Sequence, residues 1–354
     1  MVPIDSGRFA TLLHAYGRAT DTPAHLAALA GADAAARTAA LSHLWSAVIH
    51  QGTPWTVTPP AAEVIVALLP ALDAADVRRS LLRFLAAVAE AGSAEVEPVE
   101  TDLSGLDELD EDEIWGEPDL AEALYVQAVL GCRALVPAMR TAAASCLSDE
   151  HSTVRAAAAY AIGACGAGAE AAALGPRLHA LAAEAGPDER ATLVLAAGTL
   201  GLGARRYLGD PHPGVRACAA LAPDLADDPA ATAELLAALT DPAAIETWFA
   251  QQPPQFPMHI RFTLIDAALA RVADPAALLP AALAVVPVAG KWTVNLDWGR
   301  FLVALAPTSA LGAYLAALVE RDDFWDPTNG NASLSFRQAG LPYDREACRA
   351  LLGN

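Results

Sequence analysis

The chain has 354 residues, 54% of them apolar and 6% aromatic, and its 22 Lys plus Arg face 42 Asp plus Glu for a net charge of −20. Alanine dominates and long alternating runs of Val, Ile, Thr and Tyr are absent. Ala and Leu are good helix formers and poor strand formers, so a sandwich or barrel is excluded and a nearly all-α chain is expected. No basic groove for phosphates is visible, so the charge disfavours a nucleic-acid partner and none is expected.

In chain order, MVPIDSGRFATLLHAYGR lacks a basic head followed by an apolar core, so no signal peptide is expected. Residues 5–91 predict about five helices, punctuated by GAD at 31 and by a loop, HQGTPWTVTPP, at 50–60. His43 and His50 lie seven apart and are expected on one helix face. The eight histidines form no HExxH and have no CxxC to assist them. They are read as partly buried side chains, and no metal or cofactor is expected.

Between Glu95 and Asp119 stand 12 acids and no base, so this stretch holds −12 of the charge. Leu103, Leu106 and Leu109 recur every third residue among the acids, ahead of Ile114 and Trp115. An acidic arm of this composition suits a basic protein partner, charge steering the encounter and apolar side chains anchoring it. Its candidate binding residues are Asp107, Glu108, Asp110, Glu111, Asp112, Glu113 and Trp115. The competing reading is a solvated insertion whose Ile114 and Trp115 fold back onto the helices. Trp55 and Trp292, both in predicted loops, complete the candidate binding set, because exposed Trp is a frequent interface anchor.

Helical pattern resumes near Asp119 and runs to about Arg321. Counted from Arg155, glycines fall at 163, 166 and 168; counted from Arg190 they fall at the same offsets, at 198, 201 and 203. Pro137 and Pro176 are 39 apart, as are Asp149 and Asp188. A period of 35–39 residues made of two short helices is the signature of an α-solenoid. The glycines follow a helix rather than a strand, which makes them helix stops and not a phosphate loop. Arg190 and Arg216 are only 26 apart, so either one helix between them is shortened or the repeat is degenerate there. Further DPAA turns stand at 228, 241 and 274. Phe301–Val319 is free of charge for 19 residues, but Pro307-Thr308-Ser309 and Gly312 break it into a helix–turn–helix rather than a membrane span. The polar, turn-rich piece from residue 321 to 354 is read as a terminal cap with one last helix from Asp344.

The segment ALVPAMRTAAASCLSDEHSTVRAAAAYAIGACG resembles a HEAT repeat of the kind also found in phycobilin lyases, and GDPHPGVRACAALA at 209–222 matches the same opening of a B helix. Weaker echoes begin at Asp33, Asp73 and His259. The resemblance implies helical hairpins joined by an Asp-x-x-x-x-Val-Arg turn, the Arg reaching the turn Asp of an adjacent repeat. Asp149, Arg155, Arg190, Asp210 and Arg216 are accordingly expected to form a structural ladder, with Asp149 and Asp210 also acting as helix N-caps.

One solenoid over residues 1–354 is therefore expected: N-terminal repeats at 1–92, the acidic insertion at 93–119, HEAT-like repeats at 120–320 and the cap at 321–354. Five cysteines, odd in number and set in apolar runs, suit reduced thiols in a cytoplasmic protein. No catalytic signature is present. The expected function is a protein-binding scaffold or adaptor, with immunity-type masking of a basic partner as its concrete form. The alternative drawn from the resemblance is a HEAT-like enzyme. A DNA glycosylase-like one would use Asp297 beside Trp298, whereas no residue matches a lyase.

Overall fold

A computed structural model describes residues 4–99 and 111–353, apart from the side chains of 111, 112 and 115. The chain is all-α and divides into two compact units, Met1–Ala183 and Glu184–Asn354. No single described helix is long and apolar enough to cross a membrane.

The first unit opens with α1 (Ser6–Ala10), a ribbon of β1 (Leu13–His14) and β2 (Gly17–Arg18), α2 (Thr22–Ala28) and α3 (Ala34–His43). A π-helical turn, Leu44–Val48, then runs into β3 (Ile49–His50) and β4 (Thr53–Pro54). The expected loop at 50–60 is thus partly a tight hairpin. Its two central residues, Gln51 and Gly52, both take positive φ (52° and 84°), the geometry that matches the twist of paired strands. His43 and His50 do not share a helix face, because α3 ends at His43 and the π turn resets the phase.

There follow α4 (Thr58–Leu68), α5 (Ala75–Gly92), α6 (Glu111–Gly116), α7 (Pro118–Ala134), α8 (Val136–Cys146), α9 (Ser152–Ala164), α10 (Ala169–Ala172) and α11 (Gly175–Glu184), whose last residue passes the division. Helix α5 is the spine of this unit. Val77, Leu81, Leu82, Phe84, Leu85 and Val88 recur at helical spacing and are all buried, and α7 and α9 both pack on α5. At its end a Cβ on Gly92 would stand 2.7 Å from the Arg133 amide nitrogen, so only glycine lets α7 come this close. Arg133 seals the contact by donating from Nε to the Gly92 carbonyl at 2.9 Å.

The second unit continues with α12 (Pro187–Thr199), α13 (Pro213–Ala220), α14 (Pro229–Leu239), α15 (Pro242–Ile245), α16 (Ile260–Arg271), α17 (Leu279–Val285), α18 (Trp298–Leu305), α19 (Leu311–Val319), α20 (Gly330–Gln338) and α21 (Arg345–Leu351). The shortened element between Arg190 and Arg216 is a 3₁₀ turn, Ala204–Gly209. Glycine ends α12 as expected. Gly201 at φ 68° lets Leu202 donate to the Ala197 carbonyl and Gly201 to that of Gly198, which satisfies two orphan acceptors. In the DPAA turns Asp228, Asp241 and Asp274 each accept a backbone N–H from a residue of the helix that follows. Residues 301–319 do form a helix–turn–helix, α18 and α19. The terminal piece holds two helices rather than one, because Asn329 caps α20 by accepting from the Ala332 N–H.

Candidate functional site

The arginines that open these helices, three of them preceded by Val, act first on their own turns. Arg37, Arg78, Arg155 and Arg216 each donate to the carbonyl six residues earlier, those of Gly31, Leu72, Asp149 and Asp210, at 2.7–3.1 Å. Arg190, whose turn is shorter, donates to the Ala185 carbonyl at 2.7 Å. One guanidinium thus ties the end of each turn to the first turn of the helix after it. Two ion pairs then join a turn aspartate to an earlier arginine: Arg78 to Asp149 at 2.8 Å in the first unit, and Arg190 to Asp210 at 3.2 Å in the second. Arg216 pairs with Glu234 at 2.9 Å.

Asp149 and Asp210 are not N-caps. His151 and His212 occupy the cap positions of α9 and α13, and each aspartate accepts the N–H of that histidine at 2.9 Å. The carboxylate sits two residues too early to reach the helix, so one oxygen holds the turn and the other meets the arginine. Burial pulls the Asp149 carboxyl upward, but the His151 donors and Arg78 outweigh it and leave it below the usual range.

The expected binding residues are scattered. Asp107, Glu108 and Asp110 lie outside the described residues. Glu111, Asp112, Glu113 and Trp115 belong to α6, so Trp115 is helical rather than in a loop. Glu113 is exposed, while Ile114 is fully buried against Leu13 and Leu124, as a segment folded back onto the helices requires. Trp55 is half-buried beside an apolar cavity of about 140 Å³ lined by Leu13, Pro54, Leu124 and Tyr125. Trp292, in the second unit, is 59% exposed with the Lys291 ammonium 4.9 Å from its ring centre.

Asp297 and Trp298 form no open site. Both are 0% exposed, and Trp298 stacks on Phe324 with ring centres 4.3 Å apart. Asp297 accepts from the Trp298 N–H at 2.6 Å and from the Thr293 hydroxyl at 2.9 Å. Burial pushes its carboxyl up to about 6 against the pull of these donors and of Arg261. It is a sealed structural acid with no route for a base or sugar to reach it.

The residues that converge on one point were not anticipated. His14 ends β1, Asp21 precedes α2 and His43 closes α3, and their donor atoms all lie within 4.8 Å of one another. His14 Nε2 is 3.1 Å from Asp21 Oδ1, and His43 Nδ1 is 3.9 Å from Asp21 Oδ2. His25 stacks on His43 at 4.2 Å, and the Thr22 hydroxyl meets His43 Nε2 at 2.9 Å. Burial first, then the neighbouring His25, lowers His43 to about 4, so its imidazole is neutral at pH 7. Thr22 is wholly buried, so Thr22, His43 and Asp21 do not make a nucleophilic triad. His14, Asp21, His25 and His43 are spaced 7, 4 and 18 apart in sequence. The β1–β2 ribbon carries His14, and the packing of α2 against α3 sets Asp21 and His25 beside His43. Compared with family models, with curated proteins and with solved structures, the chain has no match.

Proposed function

We propose that the chain is a HEAT-like α-solenoid acting in the cytoplasm as a scaffold or adaptor for a basic protein, with masking of a basic toxin in the manner of an immunity protein as its concrete form. One observation carries this reading: the arginine bracket recurs at five turns, Arg37, Arg78, Arg155, Arg190 and Arg216. Recurrent hairpins of this kind present long helical faces suited to proteins and peptides. The net charge of −20 supports a basic partner. A glycosylase-like activity has no support, because Asp297 is sealed.

The test is capture from native lysate on the immobilised full chain, with retained proteins identified by mass spectrometry. The reading expects a basic protein released by raised salt. Retention of none, or of acidic proteins indifferent to salt, refutes it.

A further inference from the structure

We propose that His14, Asp21 and His43 form a binding site for a divalent transition cation of the zinc class, independent of the protein-binding reading. Four-coordinate zinc with bonds of about 2.1 Å to nitrogen and oxygen sets neighbouring donors roughly 3.4 Å apart. His14 Nε2 lies 3.1 Å from Asp21 Oδ1 and His43 Nδ1 3.9 Å from Asp21 Oδ2, and one donor atom from each residue falls within 4.8 Å of the others, a set that a small inward shift brings to that spacing. Two imidazoles and one carboxylate favour zinc, cobalt or nickel over magnesium or calcium, which take oxygen donors.

Two further observations point to a ligand. Asp21 stands at the N-cap of α2, where a carboxylate normally accepts a helix N–H, yet it makes no such bond. Its backbone is already helical, at φ −89° and ψ −23°, and its carboxylate faces the two histidines instead. The second observation concerns His43, 8% exposed, whose Nδ1 faces the same carboxylate at 3.9 Å, too far for a hydrogen bond but close enough for a cation between them. Its Nε2 is held by the Thr22 hydroxyl, the outer contact that fixes the orientation of a metal-binding imidazole. Asp21 is 55% exposed at its side chain, which leaves an open side for water or a fourth donor.

His14 determines what binding must change. Its Nδ1 accepts the Tyr16 N–H at 3.1 Å, so in the metal-free chain the proton sits on Nε2 and points at Asp21. An imidazole that gives its Nε2 lone pair to a cation carries its proton on Nδ1, facing that same N–H. Binding therefore switches the His14 tautomer and breaks the Tyr16 contact. Tyr16 lies in the two-residue loop of the β1–β2 ribbon, is 66% exposed, and is followed by Gly17 at φ 114°, so the backbone there can turn.

The experiment titrates the chelator-stripped full chain with zinc alone by calorimetry, and with cobalt(II) by visible absorption. Nitrogen-15 spectra of the histidine rings and the Tyr16 amide are recorded in parallel. One equivalent of zinc is expected, with His14 moving from Nε2–H to Nδ1–H and the Tyr16 amide shifting. Asp21→Asn keeps the hydrogen bond to His14 and is expected to weaken zinc by at least about tenfold. His14→Gln is expected to do the same, whereas His151→Gln, outside the cluster, leaves affinity unchanged. Each variant is checked by thermal unfolding, and Asp21→Asn, whose side chain is largely solvated, serves if the His14 variant fails to fold. No binding, equal binding by Asp21→Asn, or binding with His14 still protonated at Nε2 overturns the proposal.

Discussion

Cutting the Arg78–Asp149 pair tests whether the turn aspartate holds one hairpin to the next. Both side chains are nearly buried, 13% and 10% exposed, and the contact is 2.8 Å. An exposed pair contributes about 0–1 kcal/mol, whereas removing one partner of a buried pair costs about 3–5 kcal/mol. This pair lies between those limits, since Arg78 keeps the Leu72 and Asp73 carbonyls and Asp149 keeps the His151 N–H. Asp149→Asn is therefore expected to cost about 2 kcal/mol, and a double-mutant cycle with Arg78→Met to give a coupling of about 1–2 kcal/mol. Urea unfolding of the full chain at pH 7 measures both. Because the folded carboxyl is held below its usual range, the coupling is present above that range and lost as pH falls through the folded value. A coupling under about 0.5 kcal/mol, or one indifferent to acid, refutes the rung as a structural tie.

Asp297 has the opposite sign. Its folded pKa of about 6 against 3.8 means the folded chain binds the extra proton, so stability falls as pH rises from about 4 through 6, by up to about 3 kcal/mol. Asp297→Asn flattens that slope in unfolding curves taken across pH, and an unchanged slope contradicts the assignment. Gly92→Ala is expected to destabilise by about 1–3 kcal/mol, because its Cβ meets the backbone of α7 at Arg133. Gly312→Ala in α19 meets nothing within 4 Å and is expected to stabilise by up to about 1 kcal/mol. Thermal melts of the two variants moving in the same direction break this argument.

The helical parts were legible because their signals are local. The Ala and Leu periodicity, the helix-stop glycines and the Val-Arg turns each report on a few neighbouring residues. Even the irregularity ahead of Arg216 could be inferred from spacing alone. What escaped depends on contacts distant in sequence or on unusual backbone. Asp149 was expected both to cap a helix and to meet an arginine, and only the cap failed, because a two-residue offset decides which N–H a carboxylate reaches. Trp298 stands at a helix start beside Asp297 in the sequence, and its burial and its stack on Phe324 are visible only in the structure. His14, Asp21 and His43 carry no recognisable spacing, since a two-stranded ribbon and the packing of α2 on α3, not one helix face, align them. The acidic arm stood out by composition, whereas the burial of Ile114 against Leu13 and Leu124 could not be read from it.

The central claim, that acidic charge on this chain recruits a basic protein, is tested most directly by the affinity of the captured partner as salt is varied. Wild type is compared with a chain in which Asp107, Glu108, Asp110, Glu111, Asp112 and Glu113 are changed to Asn and Gln. The account predicts that wild-type affinity falls steeply with salt, and that the neutralised chain binds at least about tenfold more weakly with a flatter dependence. Equal affinity and equal salt dependence for the two chains would contradict it.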